Sequence, residues 1–174
     1  MTANLEIRTA TPADTVAVEA LYKDTFPEED LLALVGRLLA AGDEVLSLVA
    51  EQEGVITGHI GFTFCTVDGC PGRVALLAPL AVMPALHGRG IGSSLVRDGF
   101  RRLEDAGVGT VLVLGDPGYY ARFGFAPEQK ITPPYTLPPE WSGAWQSVAL
   151  GEAESGPEGE LSVPALWRDE ALWC

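Results

Sequence analysis

Residues 77–96, LAPLAVMPALHGRGIGSSLV, decide the fold of this chain. Their start belongs to the almost wholly apolar run Arg73–Met83 (RVALLAPLAVM), which predicts a central strand buried on both faces. Pro79 has no N–H to give a ladder, so pairing to one neighbouring strand is expected to fail there. In the turn that follows, Gly88, Gly90 and Gly92 alternate with other residues and leave backbone N–H groups unobstructed by a Cβ. The end of the stretch opens a helix over Gly90–Ala106, with Ile91, Leu95, Gly99 and Leu103 on one stripe and Gly107 as its stop. Free N–H groups at a helix N-terminus, with its partial positive charge, make a site for phosphate oxygens. The unit therefore reads as an anion site, for a pyrophosphate.

Toward the N-terminus the pattern is helical. Leu5–Thr9 alternates as a first strand, and Thr11-Pro12-Ala13-Asp14 starts a helix, with Thr as N-cap and Asp reaching back. After Phe26-Pro27 helical spacing resumes over Glu28–Ala40, with Glu28, Glu29 and Asp30 at its start and Gly42 closing it. The period then changes to that of strands. Val45–Ala50 and Val55–Cys65 flank a hairpin signal at Glu51-Gln52-Glu53-Gly54, and Asp68–Gly72 marks the next turn. Beyond the long helix, Thr110–Leu114 is a second buried strand, broken by Gly115-Asp116-Pro117-Gly118 before YYARFGF. After Pro127 the prolines at 133, 134, 138 and 139 make a turn-rich connection, and Trp141–Leu150 holds a late strand. Gly151–Gly159 reads as an acidic loop, and Leu161–Trp173 completes the sheet edge or lies across it.

Composition bounds the rest. A chain of 174 residues suits a single domain, residues 1–174, with a substantial core. No stretch approaches the roughly 18 apolar residues of a membrane span, and no secretory signal is visible at the N-terminus. The three cysteines form no CxxC pair and no disulfide framework, so a cytoplasmic protein is expected, with no metal. The net charge of −13 argues against nucleic acid or a membrane surface as partner. Its distribution is uneven: residues 1–60 carry 3 basic and 11 acidic side chains, residues 61–139 carry 7 and 6, and residues 140–174 carry 1 and 7. The middle segment tolerates a polyanionic cofactor best. The plainer reading is that acidic flanks keep the protein soluble.

Three cofactor classes compete for the glycine turn. A Walker loop is excluded, because Gly92-Ser93-Ser94 lacks the required lysine. A dinucleotide fingerprint fits poorly, since Gly88 and Gly90 are followed by Ser93 where the third glycine belongs. The third pattern, Gln/Arg-x-x-Gly-x-Gly/Ala, is matched closely by His87-Gly88-Arg89-Gly90-Ile91-Gly92. On this turn, and on GHIGFTF and VLVLGDPGYYARFGF at their spacing around it, the chain resembles the GNAT superfamily of N-acetyltransferases over roughly residues 45–127. His87 departs from the usual Gln or Arg.

The resemblance implies a mixed α/β (α+β) fold: a mostly antiparallel sheet with one splayed parallel strand pair, flanked by helices. It implies transfer of an acetyl group from acetyl-coenzyme A to a primary amine by direct attack in a ternary complex. Leu80, Ala81 and Val82 would present backbone to the pantetheine and thioester, with an N–H near Val82 meeting the oxyanion. His87, Gly88, Arg89, Gly90, Ile91, Gly92 and Ser93 would wrap the pyrophosphate, and Arg97 or Arg101 would approach the nucleotide phosphate or form a solvated face. Tyr120, four residues before Gly124, stands where the family has a tyrosine directed at the cofactor sulfur. A phenol of pKa about 10 can protonate a departing thiolate of about 8.5 when held in reach. Its other reading is a core aromatic, as for Tyr119.

An amine arriving as ammonium needs a base, and the candidates are His59, His87, Glu28 and Glu29. His59 is chemically the most apt, as a free imidazole titrates near pH 6.5, and a strand histidine is equally a structural residue. Glu28 and Glu29 are also candidates for contacting a cationic acceptor, or are helix-start charges. Direct transfer needs no cysteine nucleophile, so Cys65 is given no role. Proteins of this fold often pair, so the resemblance leaves a homodimer open. The rival readings are a non-catalytic acyl-coenzyme A sensor, and an acyltransferase for a longer chain or a hydroxyl acceptor.

Overall fold

The computed structural model describes residues 4–151 and 156–173. Most of the acidic loop expected at Gly151–Gly159 lies outside the described residues. The chain divides into two compact units that share two strands and one helix: the chain up to Phe62 with Ala78–Gly99, and Thr63–Leu77 with the chain from Phe100 onward.

In the first unit, β1 (Leu5–Thr9) runs antiparallel to β2 (Val45–Gln52), from Leu5↔Gln52 to Thr9↔Leu48. The expected cap forms. The Asp14 carboxylate accepts the Thr11 N–H at 2.7 Å and takes both arms of Arg8, at 2.8 and 2.9 Å. It closes a 3-10 turn, Pro12–Asp14, which leads into α1 (Thr15–Thr25). Val18, Leu21 and Tyr22, three and four residues apart, form the buried stripe of α1 and pack with Val35, Val49 and Ala81. The second helix is shorter than the sequence predicts: α2 spans Leu32–Leu39, and Glu28, Glu29 and Asp30 precede it. Pro27 sits second in a β-turn closed by Glu29 N–H to Phe26 O at 3.1 Å, which displaces the helix start by one turn.

The hairpin from β2 to β3 (Val55–Val67) turns on Glu53 and Gly54, with φ of 51° and 82°. Two positive φ values in succession suit a two-residue hairpin, because they match the twist of its strands. The predicted central strand is β4 (Val74–Val82), followed by a 3-10 turn at Pro84–Leu86 and by α3 (Ile91–Asp105). Gly99 of α3 lies against the Phe62 ring, where a Cβ would collide with ring carbons. Alanine there gains about 1 kcal/mol of helix propensity but overpacks the core at a typical cost of 1–3 kcal/mol. Gly99→Ala should therefore lower unfolding stability by up to about 2 kcal/mol in urea titration, whereas a raised midpoint would show that Phe62 yields freely.

In the second unit, α3 ends as predicted. Gly107, at φ 83°, donates to Glu104 O, and Val108 N–H reaches back to Leu103 O at 2.9 Å. β5 (Thr110–Leu114) pairs parallel with β4 from Ala75↔Val111 to Leu77↔Val113. That pairing ends before Pro79, where the sequence predicts failure. Beyond it come α4 (Pro117–Tyr120), β6 (Ala126–Pro127), β7 (Ile131–Thr132), β8 (Trp145–Ala149) and β9 (Gly159–Ser162). β8 runs antiparallel to β5 and β6, and β9 antiparallel to β3. The late strand is thus shorter than expected, because Trp141 falls in a 3-10 helix, Pro139–Ala144. A second, two-residue parallel pairing joins β7 to β9, an addition to the single pair expected.

The hydrogen-bonded strand order is β1-β2-β3-β4-β5-β8-β6. This is the expected mixed, mostly antiparallel sheet flanked by helices. Three tryptophans knit the end of the chain into the second unit. Trp145 Nε1 donates to Ile131 O, Trp167 Nε1 to Thr63 Oγ1 and Trp173 Nε1 to Trp167 O, at 2.8–3.0 Å. Among the described residues no helix is long and apolar enough to cross a membrane.

Candidate functional site

The strand-turn-helix element holds the residues from which an anion site is expected. Gly88 and Gly90 have φ of 80° and 82°, the region that favours glycine, and a Cβ on either would meet nothing within 4 Å. Backbone conformation therefore requires glycine here, and the faces of both residues are open. The first intrahelical bond of α3 is Ser94 N–H to Gly90 O at 3.0 Å. Gly90 is thus the cap, and the N–H groups of Ile91, Gly92 and Ser93 have no acceptor within the helix. Ile91 is buried, anchoring the helix start against the core, while His87, Gly88, Arg89 and Gly90 are exposed. Open glycine faces, orphan N–H groups at the start of a 15-residue helix and the Arg89 cation fit a pyrophosphate.

His87 departs from the family pattern, and its position shows what it does. Its Nε2 lies 2.7 Å from the Val82 carbonyl oxygen. A carbonyl only accepts, so Nε2 carries the proton and braces the turn to the end of β4. Met83 N–H is held by Thr57 O at 2.8 Å. Leu80 and Val82 are half-buried and Ala81 is buried.

His59 is not placed as a base. It is 0 % exposed, with Nδ1 2.7 Å from the Tyr22 hydroxyl and Nε2 2.6 Å from Ser47 Oγ. A neutral imidazole satisfies both partners, donating from one nitrogen and accepting at the other. Burial holds its pKa down to about 3. A group so poor in proton affinity, with both nitrogens engaged inside the core, cannot take a proton from an ammonium. The expected role of His59 is therefore revised to one of holding α1 to β2 and β3. Glu28 and Glu29 are exposed in the turn after α1, and Arg97 and Arg101 are exposed on α3.

Tyr120 belongs to the second unit, at the end of α4. Asp116 caps this short helix: its Oδ1 accepts the Gly118 N–H at 2.9 Å, and its carbonyl accepts the Tyr119 and Tyr120 N–H groups. Tyr119 and Phe125 meet the Tyr120 ring edge-on, with centroids at 5.0 and 5.6 Å. Burial, then the neighbouring Tyr119 and Asp116, push the Tyr120 phenol well above the usual tyrosine range. It is therefore protonated at neutral pH and available as a donor. Tyr119 packs as expected, under the Arg122 guanidinium at 4.5 Å. Burial raises the Cys65 thiol to about 12, which removes it as a nucleophile.

Two residues near Tyr120 escaped the sequence reading. Gly115 looked like a strand breaker and Gln146 like part of an ordinary strand. A cavity of about 390 Å³ lies along Thr132–Leu137 and Glu160, and none of the expected site residues lines it.

Comparison with known proteins places these elements. The pattern of the acetyltransferase (GNAT) family matches residues 15–125. The uncharacterized N-acetyltransferase YjhQ of Escherichia coli K12 is 41% identical over 110 residues, 60% of this chain and 61% of that protein, so the match spans less than two thirds of its length. YhbS of the same organism is 36% identical over 120 residues, 68% of this chain and 72% of that protein. The crystal structure of E. coli YhbS in complex with CoA superposes with a TM-score of 0.84 at 28% identity, over 97% of this chain and 94% of that one. A GNAT acetyltransferase from Brucella melitensis in complex with acetyl-CoA gives 0.76 at 30% identity, over 95% and 99%. The family match takes in α1 to Phe125, including the glycine turn and Tyr120, and this protein belongs to the GNAT acetyltransferase family.

Proposed function

We propose that this chain transfers an acetyl group from acetyl-coenzyme A to a primary amine by direct attack in a ternary complex. The observation that carries the proposal is the turn Gly88–Gly90 at the start of α3, with two open glycines at positive φ and orphan N–H groups. The complexes of the Brucella protein with acetyl-CoA and of YhbS with CoA support the same cofactor. In this reading Arg89 to Ser93 hold the pyrophosphate, and the backbone of Leu80 to Val82 lies along the pantetheine arm. The bound cofactor supplies a thioester whose carbonyl carbon forms the new bond to nitrogen as its bond to sulfur breaks. Tyr120 donates a hydrogen bond to the sulfur as it leaves with the bonding electron pair, and the thiolate takes its proton from solvent. The amine gives up its own proton to solvent or to an exposed carboxylate, since His59 is sealed in the core.

The acceptor in this proposal is cationic: a polyamine, an aminoglycoside, an amino-acid amine or a protein N-terminus. The excess of acid over base in residues 1–60 and 140–174, with Glu28 and Glu29 exposed after α1, supports it. An aminoglycoside N-acetyltransferase, AAC(6′)-Iy, shares the fold at a TM-score of 0.57. Calorimetric titration with acetyl-coenzyme A, coenzyme A and NAD tests the cofactor. Micromolar binding of the first two and none of NAD is expected; failure of both thiol cofactors to bind would withdraw the enzyme assignment. Spermidine, kanamycin, lysine and a short peptide then probe the acceptor by thiol release. Glu28→Gln with Glu29→Gln should raise the KM of an accepted cation about 3- to 10-fold, as the loss of exposed charges worth up to about 1 kcal/mol each would do. Turnover of neutral or anionic amines alone would end the cationic reading.

A further inference from the structure

Tyr120 is aligned by residues outside its own helix. The Gly115 backbone adopts an ordinary φ, so glycine is not required there by conformation. It is required by space. A Cβ on Gly115 would lie 2.5 Å from Tyr120 Cε2 and 3.0 Å from Cδ2, so this edge of the ring sits close against a bare stretch of main chain. Gly115 is in turn fixed on both sides of its peptide. Its N–H donates to Ala144 O at 3.0 Å, and its carbonyl accepts Gln146 Nε2 at 3.1 Å. The same Nε2 lies 3.4 Å from Ala144 O. Gln146 is 1 % exposed on β8, in register with Val113 of β5. A buried amide is costly unless it makes such bonds. An apolar side chain would fill the position as well for packing alone.

We infer that Gly115 and Gln146 are positioning residues for Tyr120: Gln146 clamps the peptide of Gly115, and the bare face of Gly115 sets the plane and depth of the phenol ring. The inference rests on the reading of Tyr120 as hydrogen-bond donor to the sulfur. The clamp fixes the segment just after β5, the ring rests on that segment, and the hydroxyl at the ring's far end moves with any tilt. A ring about 6 Å from clamp to oxygen converts a small rotation into a displacement near 1 Å, enough to cost up to about 100-fold in a step that depends on reach.

The test separates this inference from the reading beneath it. Gln146→Met keeps the volume and removes both donated bonds; Gly115→Ala adds one carbon against the ring edge. In thiol release from acetyl-coenzyme A with spermidine as acceptor, Gln146→Met should lower kcat about 10-fold with the Kd for acetyl-coenzyme A unchanged. Made in the Tyr120→Phe background, the same change should cost nothing further. An equal loss in both backgrounds would overturn the positioning role while leaving Tyr120 as donor. Full turnover of Tyr120→Phe would overturn the donor reading.

A second readout needs no acceptor. The chain has four tyrosines, so uniform 3-fluorotyrosine labelling gives a simple fluorine spectrum in which Tyr120→Phe assigns the line of Tyr120. Gln146→Met and Gly115→Ala should shift or broaden that line and leave those of Tyr22 and Tyr135 in place. An unmoved Tyr120 line, or all four lines moving alike, would show that the two residues do not set the ring.

Discussion

Tyr120→Phe is expected to lower kcat about 100-fold with the Kd for acetyl-coenzyme A unchanged, the lower end of what a positioned general acid contributes. The reason for the lower end is in the surroundings of the phenol. Burial keeps Tyr120 protonated, and for the same reason makes complete transfer of its proton to a thiolate uphill. Its contribution is therefore mainly the hydrogen bond it donates as charge builds on sulfur. The missing hydroxyl removes that bond and leaves the edge-on ring contacts with Tyr119 and Phe125 in place. Cofactor affinity should not change, because in the proposed function the phosphates are held by main-chain N–H groups at α3 and not by Tyr120. Stopped-flow or steady-state thiol release, paired with calorimetry, checks both halves. Equal turnover of the variant and the parent would remove Tyr120 from the chemistry, and weakened cofactor binding at unchanged kcat would make it a binding residue.

The second large effect is on stability. His59 is neutral in the folded protein down to about pH 3, whereas in the unfolded chain it takes up a proton near pH 6.5. Below pH 6.5 the unfolded state thus binds the extra proton, and stability falls as pH falls. The slope approaches about 1.4 kcal/mol per pH unit, which amounts to about 3 kcal/mol between pH 6.5 and 4. The stabilisation from keeping the imidazole neutral is fully present above pH 6.5. Asp14 acts in the same direction but in a lower window: Arg8 holds its carboxyl down to about 2, so its contribution is lost only as pH falls below the ordinary carboxylate value. Urea unfolding at pH 7, 6, 5 and 4 should show this slope in the parent. His59→Gln should start less stable at pH 7, having lost the fitted bonds to Tyr22 and Ser47, and should flatten between pH 6.5 and 4. His87→Gln, at the chain's other histidine, is the parallel control. A His59→Gln curve as steep as the parent's would show that the buried imidazole is not what acid attacks.

What the sequence determined by itself is local. The strand-turn-helix over residues 74–105 follows from an apolar run, alternating glycines and a 3.6-residue stripe, all of which act within a few residues of chain. The pairing limit at Pro79 follows from one missing N–H, and the ends of α3 and of the β2–β3 hairpin follow from glycines at positive φ. Tyr120 was legible only through its spacing from Gly124 in a recognisable pattern. Tertiary structure alone decided the partners of buried polar groups. His59 meets Ser47 and Tyr22, 12 and 37 residues away, and this turns an apparent base into a sealed core residue. Gln146 meets Gly115 31 residues away, and Gly115 seats Tyr120 where the sequence offers only a chain break. The physical reason is that periodicity and turn chemistry are set by neighbours along the chain. Which hydroxyl or carbonyl faces a buried side chain is set by strand register, and register settles only when the whole sheet has formed.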